Sequence, residues 1–246
     1  MIFAAGLGTR LRPLTNDRPK ALVEIGGKTM LERVITRLAE AGFDDITVNI
    51  HHFGDKIIDF LQQHNNFGLN IHISDERDLL LDTGGGILKA RPMLDGNEPV
   101  LVHNADILTD IDLHAMWKSH IESGAMATLL VKDRKTSRYL VFDDDYRLQG
   151  WINHSTGETR PAAFVHREGM REMAFGGIHV ISTSIFNHLE KYSQEGQAKF
   201  SITPFYVDMC RSHLIKGYVQ DTPYTWLDVG KPETLKQAEE LLKENS

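Results

Sequence analysis

The chain holds 246 residues, of which 41% are hydrophobic and 25% charged, ordinary values for a globular protein long enough to bury a large core. Its net charge of −7 argues against a nucleic-acid-binding surface, and no apolar run approaches the ~20 residues of a membrane span, so neither nucleic acid nor membrane is expected as a partner. The single cysteine, Cys210, excludes an intrachain disulfide, fits a reducing, cytoplasmic compartment, and reads as a buried packing residue on a helix.

The first two-thirds of the chain alternates strand and helix. Apolar runs at Ile2–Ala5, Ile46–Ile50, Leu69–Ile73 and Val100–His103 predict strands, the first of them clipped at Met1, and no basic n-region marks a signal peptide. Met30, Leu31, Val34, Ile35 and Leu38 form a helical stripe, as do Ile57, Ile58 and Leu61; Ile87, Leu88 and Leu94 form a third that contains Pro92. Such repetition predicts an α/β, Rossmann-like, doubly wound sheet, mixed but mostly parallel, with helices on both faces and ligands at the carboxyl ends of its strands. From Thr128 the pattern changes to short strands at Thr128–Val131, Tyr139–Phe142 and Leu148–Ile152, with Asp143-Asp144-Asp145 as a turn. A polar, irregular stretch runs from Asn153 to Glu172, and a strand follows at Gly177–Ile181. Helices are expected at Ile185–Tyr192, at Thr203–Leu214, and after Gly230 with Pro232 near the first position and Glu233 in the first turn. No repeat or linker interrupts residues 1–246, which read as one domain.

The opening "MIFAAGLGTRLRPLTNDRPKAL" places a glycine-rich turn and a basic cluster directly behind the first strand, the arrangement in which backbone N–H groups approach phosphate. A dinucleotide fingerprint is excluded because Leu11 stands where its third glycine belongs, and "GGKT" at Gly26–Thr29 is no P-loop because Leu22 replaces the required glycine. The combination "AAGLGTRLRPLT…RPKALVEIGGKTML" instead closely resembles the signature of the sugar-1-phosphate nucleotidyltransferases, G-x-G-S/T-R-L/M-x-P-x-T followed by P-K-x-M/L.

The resemblance covers nearly the whole chain. It implies a nucleotide-binding half over residues 1–127 and a sugar-binding half with C-terminal helices over 128–246. It implies that Ala4, Ala5, Gly6, Gly8 and Thr9 wrap a nucleoside triphosphate, that Arg10 holds the leaving phosphates, and that Lys20 contacts phosphate from the far side of the loop. "DTGGGILKA" matches a second glycine loop, in which Thr83, Gly84 and Gly85 would lie against the base; the bland alternative is a glycine-rich helix start. Glu76 is expected either as a sugar or base contact or as a solvated loop residue. Asp106, ending "LVHNADI", and Asp228, in "WLDVGKPETL", match the family's metal-binding aspartates and would converge on Mg²⁺, a hard cation that takes oxygen ligands. Asp110-Ile111-Asp112 also spells a D-x-D, but Asp112 reads as the N-cap of the helix beginning at Leu113. "FGGIHVI" resembles the strand lining the sugar pocket, with Gly177 permitting close approach of the ring, while the aromatics of "FSITPFYVDM" read as core.

One departure is clear: the Glu-Lys-Pro whose lysine grips the sugar phosphate in many relatives is missing from "LQGWINHSTGETRP". Arg138, Asn153 or Arg160 substitutes for it, or the metal and Lys20 hold that phosphate. His51-His52 reads as a surface or nucleoside-edge pair, since adjacent strand residues face opposite ways. Trp151 and Trp226 read as packing residues. The implied reaction joins a nucleoside triphosphate and a sugar 1-phosphate into a nucleotide sugar and pyrophosphate, carried out by a monomer or homodimer. Uridylyl or guanylyl transfer is favoured, in the manner of N-acetylmuramate-1-phosphate uridylyltransferases, with their link to cell-wall recycling, and of mannose-1-phosphate guanylyltransferases; a heptose remains an open acceptor. A non-catalytic nucleotide-sugar-binding relative is the competing class, opposed by the retention of Arg10, Lys20, Asp106 and Asp228. A phosphocholine cytidylyltransferase is the third, and no aromatic cage for its ammonium group is evident.

Overall fold

The computed structural model describes residues 1–162, 164–195 and 198–244. In chain order the strands and helices begin with β1 (Ile2–Phe3), the hairpin β2 (Glu24–Ile25) and β3 (Lys28–Thr29), α1 (Met30–Glu40), β4 (Asp45–Ile50), α2 (Gly54–Gln63) and β5 (Asn70–Asp75). There follow α3 (Asp82–Lys89), the single turn α4 (Arg91–Leu94), β6 (Val100–Asn104), β7 (Ile107–Thr109), α5 (Leu113–Ser123) and β8 (Ala127–Lys132). The remainder comprises β9 (Arg138–Phe142), β10 (Leu148–Asn153), β11 (Glu158–Arg160), β12 (Arg171–Ile181), α6 (Ile185–Glu195), α7 (Ile202–Met209), β13 (Ile215–Tyr218), β14 (Trp226–Asp228) and α8 (Pro232–Glu244).

Most expected elements are present, and the differences have local causes. The third helical stripe is split into α3 and α4 by Pro92, which has no N–H to continue the ladder. The helix expected over Thr203–Leu214 stops at Met209, whose carbonyl accepts the amides of Ser212 and His213 in a closing turn. Cys210 therefore caps α7, half-buried, and burial pushes its thiol pKa up. Within the stretch expected to be irregular, Asn153 accepts the Gly157 amide at 2.8 Å and turns the chain into β11. Asp112 caps α5 as expected, accepting from the Ala115 amide.

Among the described residues ten strands form one mixed sheet. Through β5-β4-β1-β6 the neighbours are parallel; β12 runs antiparallel to β6, and β9, β10 and β11 continue as an antiparallel meander. Eleven-residue β12 also carries β8, to which β13 adds in parallel. Strand alternation splits the core into two layers. Leu101, Leu130 and Val180 pack with Leu31, Ile35, Ile57 and Met116 from α1, α2 and α5, while Val102, Leu129 and Ile181 pack with Ile87, Phe186, Leu189 and Phe205 from α3, α6 and α7. The aromatics Phe205 and Tyr206 are core, as expected. A third, smaller cluster joins α8 through Leu235 and Ala238 to Leu11, Val23 and Val229.

Two features of this topology bring separate parts of the chain to one place. Chain order runs from β1 outward to β5 and then returns to β6 on the other side of β1, so the crevice at the carboxyl ends of β1 and β6 is the switch point of the sheet. Separately, β14 pairs antiparallel with β7 as a two-stranded ribbon, Asp228 opposite Ile107, bringing the last part of the chain to the end of β6.

Three histidines lie inside these layers. Burial lowers the pKa of His103 and His120 to about 4 and that of His179 to about 3. Both ring nitrogens of His179 lack a hydrogen-bond partner among the described residues, and its ring stacks on Phe175. Below the ordinary histidine pKa of roughly 6.5 the unfolded chain takes up protons that the folded chain refuses. Their contribution to stability is thus complete above pH ~6.5 and is lost as the pH falls toward the folded values. The urea midpoint is expected to drop between pH 6.5 and 4, and His179→Phe to show a smaller drop than the parent chain in the same titration.

Candidate active site

A cleft of about 460 Å³ opens at the switch point. Its lining includes Ala4, Ala5, Gly6, Gly8, Thr9 and Arg10 from the loop after β1, Lys20, Asp106 after β6, and Asp82 and Thr83 at the start of α3. The two glycines of the first loop differ in kind. Gly8 sits at φ 65°, where a side chain is strained, and an added Cβ would stand 3.0 Å from Thr15 and 3.1 Å from Lys20. The Thr15 hydroxyl donates to the Gly8 carbonyl at 2.8 Å and fixes that turn. Gly6 has a negative φ, and an added Cβ would meet nothing within 4 Å. The fold requires Gly8; Gly6 keeps the cleft wall free of side chain.

Four charged groups meet at one end of this cleft. Lys20 Nζ donates to Asp106 Oδ2 in a largely buried ion pair. A Cβ placed on Gly230 would stand 2.7 Å from Asp228 Oδ1, 2.8 Å from Arg10 Nη2 and 2.8 Å from Lys20 Nζ. Asp228 accepts the Gly230 amide, and the Val229 amide donates to the Asp106 carbonyl at 2.9 Å, tying the two acidic segments together. Among the described residues no group of three or more His, Cys, Asp or Glu is arranged to hold a metal. What Asp106 and Asp228 offer is a pair of carboxylates, hard oxygen donors with one oxygen already facing a cation, the ammonium of Lys20.

Other expected residues take different places. Glu76 borders the cleft and is not the solvated alternative: it is fully buried, with Oε1 accepting from Asn49 Nδ2 at 2.7 Å and Oε2 from the Leu81 amide at 3.0 Å. Gly84 and Gly85 are inside α3, the glycine-rich helix start rather than an open loop. Both amides donate to the Phe200 carbonyl, and the segment 198–200 packs so closely on them that a Cβ at either would collide with it. Thr83 does face the cleft, and its hydroxyl accepts the Ile202 amide. At Gly177, φ is 74° and the group that approaches closely is the carboxamide of Asn104, 2.8 Å from where a Cβ would be. Gly177 thus seats Asn104, which lines the cleft. His51 uses Nδ1 on the Glu76 carbonyl at 2.7 Å, while His52 is exposed against the Phe53 ring.

The structure adds residues that motif reading passes over. Asn49 Oδ1 accepts the amides of Ala4 at 2.7 Å and Ala5 at 3.2 Å, so the first loop is hung from β4; its signal is a lone carboxamide within the apolar run "ITVNI". Lys199 and Leu80 also line the cleft.

A second cleft, about 520 Å³, lies over the β9-β10-β11 meander and is lined by Arg134, Arg138, Arg160, Trp151 and Asn153 among others. Asn153 is buried there and accepts the Ser155 amide. Arg134 lies over the Trp226 ring at 4.7 Å and donates to the Phe175 carbonyl at 3.2 Å, while its Nε is buried without a partner. Burial lowers its pKa, and the nearby Asp228 carboxylate acts in the opposite direction. Arg134 thus stands between the second cleft and the charged end of the first.

The profile of the Nucleotidyl transferase family matches residues 1–245. The chain belongs to that family. The nucleotidyltransferase is 32% identical to the N-acetylmuramate alpha-1-phosphate uridylyltransferase of Caulobacter vibrioides, over 99% of this chain and 96% of the relative. It is 30% identical to the mannose-1-phosphate guanyltransferase of Pichia angusta, over 95% of this chain and 61% of the relative. A crystal structure of HddC from Yersinia pseudotuberculosis complexed with GMP-PN superimposes with a TM-score of 0.72 at 26% identity, over 98% of this chain and 97% of that one. An apo UDP-glucose pyrophosphorylase shares the fold, with a TM-score of 0.79 at 17% identity over 99% and 97% of the two chains.

The contrast between the two loop glycines is measurable in this nucleotidyltransferase. Gly6→Ala is expected to stay within about 0.5 kcal/mol of the parent in urea denaturation, whereas Gly8→Ala, forced into left-handed backbone, loses roughly 1–2 kcal/mol.

Proposed function

We propose that the protein transfers a nucleotidyl group from a nucleoside triphosphate to a sugar 1-phosphate, releasing pyrophosphate. The observation that carries this reading is the meeting of Arg10, Lys20, Asp106 and Asp228 around Gly230 at the end of the glycine-lined cleft. The Ala4–Arg10 loop lines the cleft, and the triphosphate would lie along it. No side-chain nucleophile is needed, because the acceptor's own phosphate oxygen attacks the α-phosphorus in line while pyrophosphate departs opposite. The chain's part is positioning and charge neutralisation.

In this reading the Ala4–Gly8 backbone wraps the triphosphate, Arg10 neutralises the departing β- and γ-phosphates, and Lys20 offsets charge at the α-phosphate. Asp106 and Asp228 would hold Mg²⁺, since two carboxylates are hard oxygen donors that suit a cation keeping much of its hydration. When bound, Mg²⁺ supplies charge stabilisation at the α-phosphate; Lys20 exchanges its Asp106 contact for phosphate as substrate enters. Arg134 takes the place of the missing lysine. It is the arginine that lines the second cleft and whose guanidinium also feels the Asp228 carboxylate. The names of the relatives favour uridylyl or guanylyl transfer.

The test is pyrophosphate release with Mg²⁺, screening the four ribonucleoside triphosphates and dTTP against sugar 1-phosphates and phosphocholine. One productive pair with a sugar 1-phosphate supports the proposal; release with phosphocholine alone, or nucleotide-sugar binding with no release from any pair, refutes it. Arg10→Ala and Asp106→Asn are each expected to lower turnover by at least about 10²-fold while circular dichroism and melting temperature show a folded chain. Arg134→Ala is expected to raise KM for the sugar 1-phosphate about tenfold or more, with a smaller effect on KM for the triphosphate.

A further inference from the structure

The second cleft holds more positive charge than one acceptor phosphate requires. Its floor is set by strand register. Arg138, Asn153 and Glu158 are paired across β9, β10 and β11, and Leu140, Trp151 and Arg160 are paired two residues further along. Side chains two apart on a strand share a face, so all six face the same way, and all six line the cleft. Arg160 pairs with Glu158 at 3.0 Å and lies over the Trp151 ring. Arg138 is exposed to the cleft, and its guanidinium makes no ion pair or hydrogen bond with any described residue. Phe175, Pro204 and Val207 complete an apolar side. Arg134 engages the anomeric phosphate in the proposed reaction. Two guanidiniums then remain against the single carboxylate of Glu158, one of them unengaged, in a cleft of about the same size as the one assigned to the triphosphate.

We infer that the acceptor is a sugar 1-phosphate bearing a second acidic group, a carboxylate or a further phosphate, which Arg138 receives while the sugar packs against Trp151. A guanidinium matches either anion with paired N–H donors. The inference rests on the proposed reaction, and it adds the acceptor's chemical class, which the reaction by itself leaves open.

The test compares acceptors that differ only in the second acid, with UTP and with GTP: glucose 1-phosphate against glucuronic acid 1-phosphate and glucose 1,6-bisphosphate, and N-acetylglucosamine 1-phosphate against N-acetylmuramic acid 1-phosphate. The acidic member of at least one pair is expected to show a kcat/KM tenfold or more above its neutral counterpart. Arg138→Gln is expected to reduce that ratio about ten- to a hundredfold, mainly through KM. Preference for a carboxylate or for the bisphosphate identifies the acid. Equal or better use of the neutral members, or a ratio that Arg138→Gln does not change, overturns the inference while leaving the reaction standing. If no acceptor is turned over, the reaction fails, and calorimetric titration of the same acceptors decides the second point separately. Tighter binding of acidic members that depends on Arg138 upholds it, and equal binding overturns it.

Discussion

Everything else at this site is arranged around the contact of Lys20 with Asp106 and the proximity of Arg10 and Asp228 to the same point. Lys20 and Asp106 are largely withdrawn from water, so removing either would leave a poorly solvated charge without its partner, whereas Arg10 stays exposed at the edge of the group. The four come from the two ends and the middle of the chain, and backbone contacts, not the charges alone, hold them. Thr109 donates its hydroxyl to the Thr225 carbonyl across 116 residues, the Thr225 amide donates to Asp110, and the β7–β14 ribbon places Asp228 beside the end of β6. Gly230 leaves the central point empty. Any side chain there would contact three of the four groups at once.

A second set of contacts supports the opposite wall. Glu76 is locked by Asn49 and the Leu81 amide; Asn49 in turn accepts the amides of Ala4 and Ala5. Gly86 makes room for it, since a Cβ there would stand 2.8 Å from Glu76 Oε1. The start of the loop that faces the cleft is thereby held to β4.

Much of this is legible in the chain itself. Helical and strand periodicities locate α1, α2 and β4 because each is half-buried against one layer of the core. The long opening signature locates Arg10 and Lys20, because a turn that approaches phosphate needs glycines and cations in a local pattern. Gly84, Gly85 and Gly177 are approached by the chain itself, and Glu76, which borders the first cleft, is held by protein groups, for one common reason. A glycine reports that something comes close, but not what: at Gly84 and Gly85 it is the 198–200 segment, at Gly177 the Asn104 carboxamide. An acidic residue in a loop likewise does not announce that Asn49 and a backbone amide have already taken both its oxygens.

The sequence by itself determined the alternation of elements, the local loop chemistry and the family, since these depend on residues a few positions apart or on a contiguous motif. Only the tertiary structure decided which distant groups meet. The resemblance had already implied that Asp106 and Asp228 converge, but the β7–β14 pairing that joins them, and the shared face of Arg138, Trp151 and Arg160, are matters of strand pairing. Pairing register links residues far apart in the chain, and a one-residue slip turns every side chain to the other face.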